Sequence, residues 1–180
     1  MSKENYFHSE APLEGKGLPA GGPWTPAGLA ARGASILDED VSLPVAVLSE
    51  PALRHNLEWM RRFCLAYGCQ LAPHGKTTMS PALFRMQLDA GAWGITLATA
   101  AQTASAYAHG VRRVLMANQL VGRGNFDLIA QLQAQDPDFW FACVVDSADN
   151  VAALGRYFRQ RGQTLKVLLE IGMADGRTGV

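Results

Sequence analysis

The sequence carries no surplus of charge: 16 Lys and Arg balance 16 Asp and Glu over 180 residues, for a formal net charge of zero. No run rich in Lys or Arg stands out, so the footprint of a nucleic-acid binder is missing and a small neutral or zwitterionic ligand fits better. Long apolar runs are missing as well. The opening MSKENYFHSEAPLEGKG lacks the apolar centre of a signal peptide, and no later stretch suffices to span a bilayer, so a cytoplasmic location is expected. Cysteines are few and odd in number. Cys64, Cys69 and Cys143 fall in apolar segments, where free thiols serve as small core residues in a reducing compartment. No G-x-G-x-x-G fingerprint follows an early strand, which weighs against a dinucleotide-binding sheet.

What is present is a repeat of short apolar runs and helical stretches. At 48% hydrophobic the chain can bury a full core, and its 18 Gly and 9 Pro supply turns. Residues 1–42 are rich in Gly, Pro and Ala without periodicity and read as a loosely ordered lead-in. From residue 43 onward, strands are expected at 45–48, 70–73, 94–98, 113–117, 140–145 and 166–171, alternating with helices. Gly68, Gly91, Gly110 and Gly162 are placed to close those helices. Ser80 before Pro81 reads as an N-cap with Pro at the first helical position, and Thr99 with Gln102 as a capping box. Apolar strands recurring with a helix each time indicate an α/β fold with a parallel sheet covered on both faces. Without a dinucleotide fingerprint, a (β/α) TIM-type barrel is the expectation.

In such folds the reactive groups gather at the carboxyl ends of the strands. His74 and Lys76 follow the second expected strand, Thr99 the third, Asn118 and Gln119 the fourth and Asp146 the fifth. Glu170 closes the sixth, and Arg177 lies beyond it. Thr99, Asp146 and Ser147 read more readily as helix caps than as ligand contacts. Asn118 and Gln119 stand in an apolar stretch, where two amides need partners; cofactor contact and structural bonding are evenly weighed. His8, His55 and His109 read as tail or helix-surface residues. The chain has four lysines, at 3, 16, 76 and 166, and only Lys76 follows a strand. A lysine at an apolar barrel mouth loses hydration, which favours the neutral amine that attacks a carbonyl to form a Schiff base.

These residues resemble a known family. Pro-His-Gly-Lys-Thr-Thr at 73–78, with the preceding segments at 44–48 and 53–57, is similar to the amino-terminal part of the fold-type III pyridoxal-phosphate enzymes. Within them the likeness is to the D-serine dehydratase and D-threonine aldolase branch, whose lysine motif is Pro-His-x-Lys-Thr. The segment 170–180 resembles the arginine-bearing strand and loop of the related alanine racemases. The resemblance covers residues 43–180 and implies an alanine racemase N-terminal-like barrel that binds pyridoxal 5'-phosphate through Lys76. Arg177 would lie near the phenolic oxygen of the cofactor or the substrate carboxylate, and His74 would line the pocket or support the lysine loop. Gln102 stands where relatives have Glu and is assigned no chemistry. The first strand, 45–48, would join a separate β domain, leaving five barrel strands.

The implied activity is a lyase acting on a β-hydroxy D-amino acid such as D-serine, giving a 2-oxo acid and ammonia. Alternatives are retro-aldol cleavage of D-threonine, racemisation, a non-catalytic pyridoxal-phosphate-binding barrel, or a structural barrel without cofactor. The resemblance further implies an incomplete barrel in these residues, with the carboxy-terminal β domain missing together with any divalent metal it holds. Homodimerisation is implied for the full-length form. An open sheet of this kind is expected to expose one edge, and the isolated chain to be aggregation-prone and weakly active or inactive.

Overall fold

The computed structural model describes residues 12, 13, 15, 17–173 and 176, and the chain divides into two compact units, residues 1–59 and 60–180. In the first unit Leu13 bridges Trp24 in antiparallel fashion, and Trp24 Nε1 donates to the Pro19 carbonyl at 2.8 Å. Helix α1 (Pro26–Arg32) starts where Thr25 accepts from the Gly28 N–H at 3.0 Å, with Pro at the first position. Residues 45–48 form no strand, contrary to expectation; Val47 and Leu48 are exposed. A four-residue apolar run needs a ladder partner to become a strand, and none of the described residues offers one.

Helix α2 (Glu50–Tyr67) closes in a Schellman turn. Gly68 takes φ 60°, the Cys69 N–H donates to the Cys64 carbonyl at 3.0 Å, and the Gly68 N–H to Leu65 at 3.4 Å. Gly91, Gly110 and Gly162 also have positive φ, as expected of helix-closing positions.

The second unit continues as α3 (Pro81–Asp89), β1 (Ile95–Leu97), α4 (Ala100–Ala108), β2 (Arg113–Gln119), α5 (Arg123–Gln135), β3 (Trp140–Val145), α6 (Ala148–Arg159) and β4 (Lys166–Leu169). The four strands are parallel and lie in chain order, β1-β2-β3-β4. Residues 71–74 run beside β1 as a fifth, less regular segment. The Trp93 N–H donates to Leu71 and the Thr96 N–H to Pro73, both at 2.8 Å, and His74 bridges Thr96 in parallel. Unbroken sequential order distinguishes the arrangement from a doubly wound sheet, whose order reverses at a switch point; this is part of a TIM-type barrel.

Register explains the two faces. Ile95, Val114 and Phe141 are neighbours across the sheet, as are Leu97, Met116 and Cys143, and all six are buried. With Phe84, Ile129, Leu154 and Phe158 they form the core between sheet and helices. Thr96, Leu115 and Ala142 occupy the opposite, barrel-side face. At the far edge β4 pairs with β3 alone among the described residues, and Val167, Leu168 and Leu169 are exposed, as an open sheet demands. An apolar groove of about 450 Å³, lined by Val151, Leu154, Phe158 and Leu165, reaches Val167 on the same edge.

All three thiols are free, but only Cys143 is a core residue; Cys69 is exposed and Cys64 half-buried. Burial pushes the Cys143 thiol up to about 11. Burial also raises the Tyr107 and Tyr157 hydroxyls, reinforced by Asp136 and Asp127, to which they donate. Arg112 and Arg161 lie over the two rings, 4.2 and 3.7 Å from their centroids, and oppose that rise. Each of these acids keeps its proton in the folded chain at a pH where the unfolded chain gives it up. Their contribution is therefore complete below the unfolded values and is lost as pH rises through the folded ones. The urea midpoint is expected to fall as pH rises from about 9 towards 11. A flat profile across that window would contradict it.

Candidate active site

The polar residues of the second unit collect at the carboxyl ends of the parallel segments. The first of these ends carries the lysine. Gly75 is buried: a Cβ placed on it would stand 2.4 Å from Phe84 Cε1 and 2.8 Å from Ile95 Cγ2. With Gly75 pressed against the helix-side core, the flanking His74 and Lys76 are both exposed. The Gly75 N–H donates to Thr96 at 2.8 Å, and the Met79 N–H returns to the Gly75 carbonyl at 2.9 Å, closing the turn that carries Lys76. Met79 holds the left-handed φ of 43°, an uncommon conformation for a side chain of its size. Ser80 then caps α3, accepting from the Leu83 N–H at 3.5 Å with Pro81 at the first position, as the sequence indicates.

The next end is tied back to the lysine. Thr96 is buried and donates to the Ala72 carbonyl at 2.6 Å. Thr99 caps α4 by accepting from the Gln102 N–H at 3.1 Å. Gln102 Oε1 accepts from the Ala98 N–H at 3.0 Å, one residue earlier than a standard capping box reaches. Its Nε2 donates to the carbonyl of Lys76 at 3.4 Å. Ala98 is engaged on its other side too, because Asn118 Nδ2 donates to its carbonyl at 3.4 Å.

At the end of β2 the register shifts between Met116 and Gln119, which pair with the adjacent residues Cys143 and Val144. The bulge delivers two amides to the rim in succession. Asn118 Oδ1 accepts from the Gln119 N–H at 3.2 Å, and Gln119 Nε2 donates to Asp146 at 2.8 Å and to Glu170 at 3.3 Å. One amide thus holds two carboxylates at the ends of β3 and β4. A belt of hydrogen bonds runs from Lys76 through Gln102, Ala98, Asn118 and Gln119 to Asp146 and Glu170.

Several expectations change in this light. Lys76 is exposed rather than enclosed by an apolar mouth among the described residues, which form an open four-stranded sheet. Asn118 is exposed and Gln119 half-buried, and their amides bond to the protein itself. Ser147, not Asp146, caps α6, accepting from the Asn150 N–H at 3.3 Å. His55 and His109 are exposed, as expected. Arg177 and His8 lie outside the described residues. Thr96 and the bridging side of Gln102 escaped the sequence reading; the capping-box spacing was the signal for Gln102 but pointed only to α4.

The rim fits pyridoxal phosphate in its donor set. Lys76 offers an exposed primary amine that forms no ion pair among the described residues, on a turn anchored at Gly75. Thr77 and Thr78, also exposed, add hydroxyls beside it. Among the described residues no three His, Cys, Asp or Glu side chains form a metal-binding group, and no helix is long and apolar enough to cross a membrane.

Comparison with known proteins extends the picture. The family described as "Alanine racemase, N-terminal domain" matches residues 48–180. A D-threonine aldolase of Arthrobacter sp. is 28% identical over 140 residues, covering 78% of this chain and 36% of the relative. A D-threo-3-hydroxyaspartate dehydratase of Delftia sp. (strain HT23) is 30% identical over 137 residues, covering 76% and 35%. Among solved structures, D-threonine aldolase from Filomicrobium marinum superposes with a TM-score of 0.72 at 28% identity, covering 78% of this chain and 37% of its own. The Delftia sp. HT23 dehydratase superposes with a TM-score of 0.71 at 28% identity, covering 78% and 36%. The chain spans a little over a third of the length of these relatives.

Proposed function

We propose that this chain, which belongs to the alanine racemase N-terminal domain family, carries the lysine-bearing strand ends of a pyridoxal-phosphate-dependent lyase for β-hydroxy D-amino acids. What supports the reading is Lys76, an exposed amine at a strand end, joined by hydrogen bonds to a rim of amides and carboxylates. Similarity to an aldolase and a dehydratase that, by their names, act on D-threonine and D-threo-3-hydroxyaspartate gives the substrate class.

Lys76 would hold the cofactor, with His74 lining the same rim. Bound there, pyridoxal phosphate supplies the electron sink that lets a bond at substrate Cα break. Lys76 Nζ then takes the Cα proton, a role suited to an amine on a short anchored turn. Gln119 holds the Asp146 and Glu170 carboxylates through one amide, where they present negative charge at the rim. By the family resemblance, Arg177 would meet the phenolic oxygen of the cofactor or the substrate carboxylate, for which a planar guanidinium is suited. The described residues form no group of three or more metal-binding side chains, so a divalent metal would draw on further ligands.

Dehydration and retro-aldol cleavage share the lysine and differ in the proton removed, Cα in the first and the β-hydroxyl in the second. Incubating a form that spans the full length of the relatives, together with pyridoxal phosphate, with D-threo-3-hydroxyaspartate, D-serine and D-threonine separates them. A 2-oxo acid with ammonia is expected, whereas glycine with an aldehyde assigns the aldolase. Formation of neither set, with or without added divalent cation, would overturn the proposal.

A further inference from the structure

We infer that Gln102 is a positioning residue for Lys76, fixing the backbone carbonyl of the lysine to the end of β1 in a way no carboxylate at that position can. The inference rests on Lys76 being the cofactor lysine. It begins with the orientation of the Gln102 amide, which its neighbours dictate. The Ala98 N–H can be accepted only by an oxygen, so Oε1 faces Ala98 at 3.0 Å. The two N–H groups of Nε2 are thereby turned away from Ala98, and one meets the Lys76 carbonyl at 3.4 Å.

The Lys76 carbonyl has no other partner among the described residues, and the bond spans 26 positions of the chain. The anchor is itself braced. Thr99 holds the Gln102 backbone at 3.1 Å, and Asn118 of β2 holds the carbonyl of Ala98. The turn on the other side of the bond is short: it closes between Gly75 and Met79, with Met79 in a left-handed conformation. A side-chain tie at its middle limits how the lysine can swing.

The chemistry of the two bonds separates the two duties of this residue. Capping Ala98 needs an acceptor alone, which Glu supplies as well as Gln. Holding the Lys76 carbonyl needs a donor, which ionised Glu lacks; it would set oxygen against oxygen. Gln102→Glu therefore keeps the cap and breaks the tie, while the isosteric Gln102→Met breaks both without adding charge.

The test uses the full chain and two readings. Backbone hydrogen exchange at Gly75 and Met79 reports the turn without any cofactor. The rate of pyridoxal-phosphate capture, followed by visible absorbance and located by borohydride trapping and peptide mapping, reports the amine. Exchange is expected to rise about fivefold in both variants, and capture at Lys76 to slow about fivefold, while the thermal midpoint falls only in Gln102→Met. Wild-type exchange and capture in Gln102→Glu, with changes confined to Gln102→Met, would reduce Gln102 to a helix cap and overturn the inference. If Gln102→Glu does not fold, wild-type exchange in Gln102→Met overturns it equally. If the wild-type chain traps no cofactor at Lys76, the functional reading fails, and exchange alone decides whether Gln102 restrains the turn.

Discussion

In a form that spans the full length of the relatives, replacing Lys76 with Ala is expected to abolish retention of pyridoxal phosphate and to lower lyase turnover by roughly 10³-fold or more. On the proposed reading two duties would vanish together, the covalent hold on the cofactor and the base at Cα. The thermal midpoint should stay where it is, because the side chain is exposed and forms no ion pair among the described residues. Lys76→Arg sharpens the experiment. It preserves the charge but cannot lose its proton near neutrality, so it should be as inactive as Ala. Absorbance of the lysine-bound cofactor and product formation, measured on the same preparations, check both variants. Substantial turnover by Lys76→Ala would remove the lysine from the mechanism.

The second large effect lies one residue earlier. Gly75→Ala puts a methyl group within 2.4 Å of Phe84 Cε1 and 2.8 Å of Ile95 Cγ2, and both neighbours are fully buried. Gly75 does not have positive φ, so the obstacle is space rather than backbone conformation. Either the Phe84 ring leaves its place or the turn bearing Lys76 lifts off β1. Overpacking of this kind costs about 1–3 kcal/mol, visible as a lower urea midpoint. Gly155→Ala is the matched control, since a Cβ there meets nothing within 4 Å in the middle of α6. It should stabilise the chain by about 0.5–1 kcal/mol, from helix propensity alone. An unchanged midpoint in Gly75→Ala would show that the core does not abut the lysine turn as described.

Local signals were the legible ones. Ser80 with Pro81 and Thr99 with Gln102 mark the starts of α3 and α4 because capping is settled within four residues. The runs that became β2 and β3 were readable since both have apolar side chains on the helix-facing side and sit between two neighbours. Residues 45–48 have the same composition and no such neighbours, and stay irregular. Residues 70–73 were harder for another reason: they run beside β1 yet share only the single bridge at His74, so a strand in the sequence became an extended segment. Asp146 and Ser147 were equally good caps on paper, and the choice fell to Ser147 once Gln119 engaged the carboxylate.

The lysine itself stood out as one of only four in the chain and as part of a recognisable motif. Its surroundings did not. The bonds from Gln102 to Lys76 and from Asn118 to Ala98 join residues 26 and 20 positions apart. No spacing rule within one helix or strand encodes them. They depend on parallel segments coming into register and on the irregularity that turns Asn118 and Gln119 onto the rim.

Between Lys76 and Gln119 the belt is made of amides and backbone groups, none of which titrates near neutrality. Ion pairs would have tied the same strand ends, but screening weakens them and protonation breaks them. Neutral ties leave the frame between Lys76 and Gln119 indifferent to ionic strength and to acidity. The groups that exchange protons can therefore change charge during a reaction while the scaffold that spaces them keeps its dimensions.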